Sequence, residues 1–281
     1  MPRRESNQHP ERIFILPFIT VGSASHIGQK KEQNQDYFAY NIPEDGSIPE
    51  KGILLALADG MGGHAGGAVA SKMAIEIVMK EYYEDKSKNI PESLKNVFLK
   101  ANKEVVAKGN SDRSLQGMGT TLVAVVLKKN KMYYNNVGDS RGYIIDSAGI
   151  SQFSEDHSVV ANLVKAGYIT EEEAPTYPGG NIITKAIGIE PELKINAEKK
   201  EKKISDGMYI LLCCDGLYRE VSNEEILKTI EEYIDPNIIC KKLIEKANEH
   251  GGEDNITLLL AKINKPGLLS NLKKRITDGL R

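Results

Sequence analysis

Six short runs along the chain are almost wholly apolar and rich in Val, Ile, Leu and Tyr: Ile53–Ala58, Thr120–Leu127, Lys131–Val137, Arg141–Ile145, Met208–Cys214 and Ile256–Lys262. Their length and composition predict buried β-strands. Other segments repeat at helical spacing. Val69, Met73, Ile77 and Met79 trace a stripe over Ala68–Tyr83, and Leu94, Val97, Phe98, Ala101 and Val105 trace one over Pro91–Ala107, where Pro91 suits a first helical position. Ser222 and Glu225 form a capping-box signature opening a helix over Glu224–Tyr233, and a further helix is predicted at Pro236–Asn248. Strands come in succession and helices in separate blocks, which predicts an α+β fold rather than a doubly wound parallel sheet. Residues 157–182 interrupt the strands with a short helix and a Pro/Gly loop, and read as a lid-like flap. With no Ser/Gly linker in view, one domain is expected over 19–263. Residues 1–18 read as an N-terminal arm and 264–281 as a basic amphipathic tail carrying Leu269, Leu272, Ile276 and Leu280.

Composition narrows the function classes. The chain has 281 residues, 40% hydrophobic and 27% charged, an ordinary globular profile that excludes collagen-like, disordered and disulfide-scaffold classes. A net charge of −2 gives no general attraction to nucleic acid or to an anionic membrane. The longest apolar runs fall far short of the roughly 20 residues of a spanning helix. The N-terminal stretch has no signal-peptide pattern, and the three cysteines (Cys213, Cys214, Cys240) show neither C-x-x-C spacing nor an even count. A cytoplasmic, reducing setting is the expectation.

The chemistry is carried by aspartates at the ends of buried strands. Ile53–Ala58 runs into Asp59-Gly60, Tyr209–Cys214 runs into Asp215-Gly216, and Asp254-Asn255 stands directly before Ile256. Asp139 lies between two predicted strands, and Asp36 closes Gln33-Asn34-Gln35-Asp36. Asp-Gly is ordinarily hairpin chemistry, but a helical pattern rather than a second strand follows both Asp59-Gly60 and Asp215-Gly216. Carboxylates buried at strand ends are costly unless cations compensate them. Oxygen-only ligands suit Mg²⁺ or Mn²⁺, with the Gly60 carbonyl as a further oxygen. Several such carboxylates together suggest a two-metal hydrolytic centre, with ions about 3.5–4 Å apart. Gly60-x-Gly62-x-x-Ala65 also matches a dinucleotide fingerprint, yet Asp59 would set a negative charge against the pyrophosphate, and the acidic residues downstream (Glu84, Asp85) end a helix, not a strand.

Seven motifs in order resemble the metal-dependent, type 2C, protein serine/threonine phosphatase family in its bacterial form. They are Asn34-Gln35-Asp36, Ala58-Asp59-Gly60-Met61-Gly62-Gly63-His64, Gly117-Met118-Gly119-Thr120-Thr121, Val137-Gly138-Asp139-Ser140-Arg141, Thr184-Lys185-Ala186-Ile187-Gly188, Cys214-Asp215-Gly216-Leu217 and Asp254-Asn255-Ile256-Thr257. The resemblance implies a sandwich of two antiparallel β-sheets flanked by helices on both faces, with metals in a cleft at one edge. It implies hydrolysis of phosphoserine and phosphothreonine on proteins by a metal-activated water at a binuclear Mn²⁺ or Mg²⁺ centre, without a phosphoenzyme. By position, Asp59 would bridge two metals, Gly60 would lend its carbonyl, and Asp36, Asp215 and Asp254 would complete the pair. Asp139 with Asp215 resembles the site of a third, weaker ion. Gly117, Gly119 and the two threonines look like close-packed support, Gln35 and Asn255 like residues behind the ligands. Cys213 and Cys214 read as core.

The chain also departs from that pattern. Lys31 stands where the family usually places a phosphate-binding Arg, losing the bidentate fork. Met61 follows Asp59-Gly60 where animal members carry a proposed general-acid His, which leaves His64 as a candidate for that role. Arg219 stands where relatives often have an acidic residue, which puts extra-metal binding in question, and the flap near Tyr177-Pro178-Gly179-Gly180 lacks the usual His and Arg. Phosphoprotein substrates are implied, opposing a eukaryotic-like or anti-sigma-factor kinase, with a monomeric enzyme. For the tail, docking on its own domain is expected before a membrane surface. The alternative class, a catalytically weak binding relative of the same fold, is opposed by the presence of Asp36, Asp59, Asp139, Asp215 and Asp254 together.

Overall fold

Residues Ile53–Ala58 are buried without alternation, because helices cover the outer face of the sheet to which they belong and a second sheet covers the inner face. The computed structural model describes residues 14–16, 19–42, 49–62, 66–180, 182–195 and 201–264. The N-terminal strands are β1 (Phe14–Leu16), β2 (Ile19–His26), β3 (Asp36–Tyr40) and β4 (Ile53–Met61), followed by helices α1 (Gly66–Glu84) and α2 (Ile90–Ser111). Next come β5 (Gly119–Thr120), β6 (Leu122–Lys128), β7 (Lys131–Val137), β8 (Arg141–Asp146) and β9 (Gly149–Gln152). The remainder comprises α3 (Val159–Lys165), β10 (Glu201–Lys203), β11 (Tyr209–Cys213), α4 (Asp215–Tyr218), α5 (Asn223–Glu232), α6 (Pro236–Glu249) and β12 (Ile256–Ile263).

Two antiparallel sheets result, ordered β1-β2-β12-β11-β8-β9 and β10-β7-β6-β4-β3, with β5 paired to the end of β4. Leu55, Leu57, Val123 and Val125 of one inner face meet Ile210, Leu212, Leu259 and Ala261 of the other. On the outer faces, Leu54, Ala56 and Ala124 pack under α1 and α2, while Leu211, Leu258 and Leu260 pack under α5 and α6. The α+β sandwich expected from the sequence is thus the fold observed.

The differences lie where packing uses small or polar residues. The buried face of α1 is Ala70, Ser71, Ala74, Ile75, Val78 and Tyr82; Val69, Met73 and Ile77, the expected stripe, flank it and are only partly buried. Small side chains let that helix approach the sheet closely. The expected strand Thr120–Leu127 breaks at Thr121, which turns out of the ladder to serve Asp59. Phe14–Leu16, inside the expected arm, pair with β2. The tail from 265 onward lies outside the described residues.

The flap is anchored at its base. His157 N–H donates to Gly138 O (3.0 Å) and Thr184 N–H to His157 O (2.8 Å), so its start and return sit beside Asp139. Sheet and helix also meet very closely at Gly22, where an added Cβ would lie 2.2 Å from the Pro236 carbonyl carbon. Gly22→Ala is therefore expected to lower stability by about 1–3 kcal/mol or more, read as a lower urea midpoint at unchanged slope; an unchanged midpoint would refute this packing of β2 on α6.

Candidate metal centre

Asp36 and Asp59 stand directly opposite each other in the β3–β4 ladder. Like charges in that relation destabilise a sheet. The other three aspartates come from neighbouring strand ends of the second sheet. Asp215 follows β11 and opens α4, Asp254 stands just ahead of β12, and Asp139 sits in the turn between β7 and β8. Since β11 lies between β12 and β8, the topology delivers all three to one edge.

The backbone around Asp59 is clasped from both sides. Thr120 Oγ1 donates to Asp59 O (2.8 Å), Asp59 N–H donates to Thr121 Oγ1 (2.9 Å), and Thr121 Oγ1 in turn pairs with Ser140 Oγ (2.7 Å). The threonines are thus the support that the sequence suggested. Two glycines permit the closeness of the strands. A Cβ on Gly60 would lie 2.1 Å from Gly67 O, and one on Gly216 would lie 2.1 Å from Asn255 O.

Electrostatically the cluster is strained. Both oxygens of Asp36 are buried without a hydrogen-bond partner. Burial, with the charges of Asp215 and Asp254 added, pushes its carboxyl up to about 7; the Thr257 hydroxyl and Cys214 thiol lie near enough to soften this but not to bond it. Asp59 is pushed well above the ordinary range by burial and then by Asp36, Asp215, Asp139 and Asp254, so all four neighbours act on it. Burial likewise raises Asp215, against the opposing pull of Arg219. Asp139 rises to about 6 through burial and the charge of Asp215.

Oxygen donors left unpaired in a buried pocket fit a hard divalent cation. Ligand atoms of Asp36, Asp59 and Cys214 lie within 4.8 Å of one another, a placement of Cys214 that sequence reading as plain core missed. Its thiol is already engaged, accepting from Thr257 N–H (3.0 Å) and donating to Asn255 O (3.2 Å), and burial holds it well above its usual pKa. A neutral thiol forms the floor beneath two carboxylates, and the oxygens are the donors that fit an ion.

Lys31 Nζ lies 2.7 Å from Asp254 Oδ1 at the mouth of the cluster. Burial works against its charge, but the bond to Asp254 and the fields of Asp215 and Asp59 outweigh it and raise its pKa. Asn255 acts on the loop ahead of Asp36: its Oδ1 accepts from Gln35 N–H (2.8 Å) and its Nδ2 donates to Ile27 O and Gln33 O (2.9 and 3.0 Å). Asp254 is instead held by the Asn255 backbone N–H, at 2.7 Å from Oδ1. Gln35 contributes its carbonyl, which accepts from Ser71 Oγ and Gly60 N–H. The sequence therefore brought out every aspartate of the cluster, whereas Cys214, Ser140 and Thr257 stand inside the same motifs without a role that their residue types announce. His64 lies outside the described residues.

The raised carboxyls bind protons when folded that the unfolded chain has already released. The chelated protein should therefore lose stability as pH rises from the ordinary aspartate value of 3.8 to about 7, and Mn²⁺ should restore more stability at the alkaline end. Asp36→Asn should raise the alkaline melting temperature of the chelated protein by about 2–4 °C per kcal/mol of repulsion removed. Calorimetry in chelator across this range checks both; a profile that is flat or rises with pH would contradict them.

Comparison with known proteins agrees with this geometry. The Protein phosphatase 2C family model matches residues 23–240. A serine/threonine phosphatase, stp, of Listeria innocua is 39% identical over 225 residues, 76% of this chain and 86% of the relative. The serine/threonine phosphatase Stp1 of Staphylococcus aureus has a similar structure (TM-score 0.78, 31% identity), covering 92% of this chain and 100% of the other. So has the catalytic domain of the serine threonine protein phosphatase PstP in complex with two manganese ions (TM-score 0.75, 30% identity, 88% and 99% covered). With five aspartates gathered at one edge of a two-sheet sandwich and the family pattern spanning most of its length, the chain belongs to the protein phosphatase 2C family of serine/threonine phosphatases.

Proposed function

We propose that the chain hydrolyses phosphoserine and phosphothreonine on proteins at a binuclear Mn²⁺ or Mg²⁺ centre held by Asp36, Asp59, Asp215 and Asp254 with the Gly60 carbonyl. One observation carries this reading: buried Asp36, with both oxygens unpartnered, faces Asp59 where two further strand-end aspartates arrive. The relatives' names and the two manganese ions of PstP support it. When bound, the ions supply charge neutralisation on the phosphoryl oxygens and a water of lowered pKa.

The chain's own residues do the positioning. The Thr120–Thr121 clasp fixes the Asp59 backbone, and the neutral Cys214 closes the pocket floor. Lys31, half-exposed at the mouth, presents an ammonium to the incoming phosphate and exchanges Asp254 for it. Burial raises all three thiols, Cys213 to about 12, so no cysteine supplies a thiolate for a covalent phosphoenzyme. His64 is the candidate general acid for the leaving serine or threonine oxygen.

One domain over 19–263 carries the activity. Among the described residues no helix is long and apolar enough to cross a membrane. A cytoplasmic monomer that reverses a eukaryotic-like or anti-sigma-factor kinase in a signalling pathway is the setting this reading favours.

A metal-supplemented assay on p-nitrophenyl phosphate and a phosphothreonine peptide tests the reaction. Chelator should abolish turnover, and Asp59→Asn should lower kcat on the order of 10³-fold; turnover that survives both would overturn the proposal. Lys31→Ala should raise KM about tenfold with little change in kcat, and Lys31→Arg should lower KM through its bidentate fork. An unchanged KM in both variants would remove Lys31 from phosphate binding.

A further inference from the structure

Arg219 lies one helical turn beyond Asp215, and its Nε sits 3.0 Å from Asp215 Oδ2. Its charge also acts on Asp139, the other buried carboxylate on this side of the cluster. Its Nη2 reaches across to the flap, donating to Gly180 O at 3.4 Å. Neighbours fix its place. Tyr218, its neighbour in the chain, is stacked under the Arg141 guanidinium at 3.7 Å, and Arg141 is locked through Nε and Nη2 onto Asp156 Oδ2 (2.9 and 2.8 Å). A planar fork of this kind satisfies carboxylate and carbonyl acceptors together and needs no dehydration of an ion.

We infer that Arg219 is a built-in cation occupying the place of a third divalent ion between Asp139 and Asp215, so that this chain's cluster holds two ions and not three. The inference rests on the metal-centre reading above. Charge counting supports it. Five carboxylates meet two divalent ions and two resident cations, Lys31 and Arg219, an excess of one positive charge. A third divalent ion would raise that excess to three, inside a pocket where burial makes unbalanced charge costly. The ion would also have to displace Arg219 from Asp215 and release the flap carbonyl that Arg219 holds.

Counting bound Mn²⁺ per chain, by isothermal titration and by the loss of free-ion signal in electron paramagnetic resonance, tests this without reference to turnover. The wild-type protein should take up two ions. Arg219→Ala should take up a third, weaker one; Arg219→Ala with Asp139→Asn should return to two; and Arg219→Lys, which keeps the charge, should stay at two. Three ions in the wild type, falling to two on Asp139→Asn alone, would overturn the inference and leave the binuclear centre intact, as would an Arg219→Ala protein that is folded by circular dichroism and still binds two. Failure of the wild type to bind any ion would instead sink the metal-centre reading on which the inference rests.

Discussion

Mutual repulsion between carboxylates that the fold forces together is the constraint around which this molecule is organised. Asp36 and Asp59 oppose each other across one ladder while Asp139, Asp215 and Asp254 arrive from the strand ends of the other sheet. No packing gain requires such an arrangement, and burial makes it worse. A protein that keeps it has a use for cations at that place. The strain is tolerated because the surrounding backbone is over-determined: the threonine clasp on Asp59, the close approaches at Gly60 and Gly216, and the Asn255 staple on the loop before Asp36 leave the strand ends nowhere to retreat.

Two side-chain cations already stand at the rim, and they differ in kind. Lys31 is a compact charge on a flexible stem, half-exposed and paired with Asp254, suited to exchanging one anion for another. Arg219 is a planar fork fixed by its neighbours and shared between Asp215 and the flap. The first is the cation the proposed reaction would use on incoming phosphate, and the second is the one proposed above as permanent charge balance.

Much of this was legible in the sequence, for identifiable reasons. Strands such as Ile53–Ala58 and Tyr209–Cys213 are covered on both faces, so they read as unbroken apolar runs, and an aspartate closing such a run stands out against them. The capping box of Ser222 with Glu225 is local chemistry and forms as expected. β2 escaped notice because its work is done by Gly22, Ser23 and Ser25, whose partners on α6 and β12 lie more than two hundred positions away. The charged β10 escaped notice because it buries no apolar face: it joins β7 by its ladder and by the ion pair of Glu201 with Lys131 (3.2 Å). The face of α1 was displaced because alanine, glycine and serine bury readily against a sheet without marking a stripe. Cys214 gains its place beneath the carboxylates from tertiary packing, whereas Arg219 stood out by its place four residues after Asp215 and only its reach to the flap is tertiary.

The central claim is that the opposed carboxylates share divalent ions. Anomalous scattering at the manganese edge from manganese-soaked crystals tests it most directly. Two peaks should appear in the pocket lined by Asp36, Asp59, Asp215 and Asp254. Peaks confined to other surfaces, or carboxylates that stay protonated and paired with each other in the presence of manganese, would contradict it.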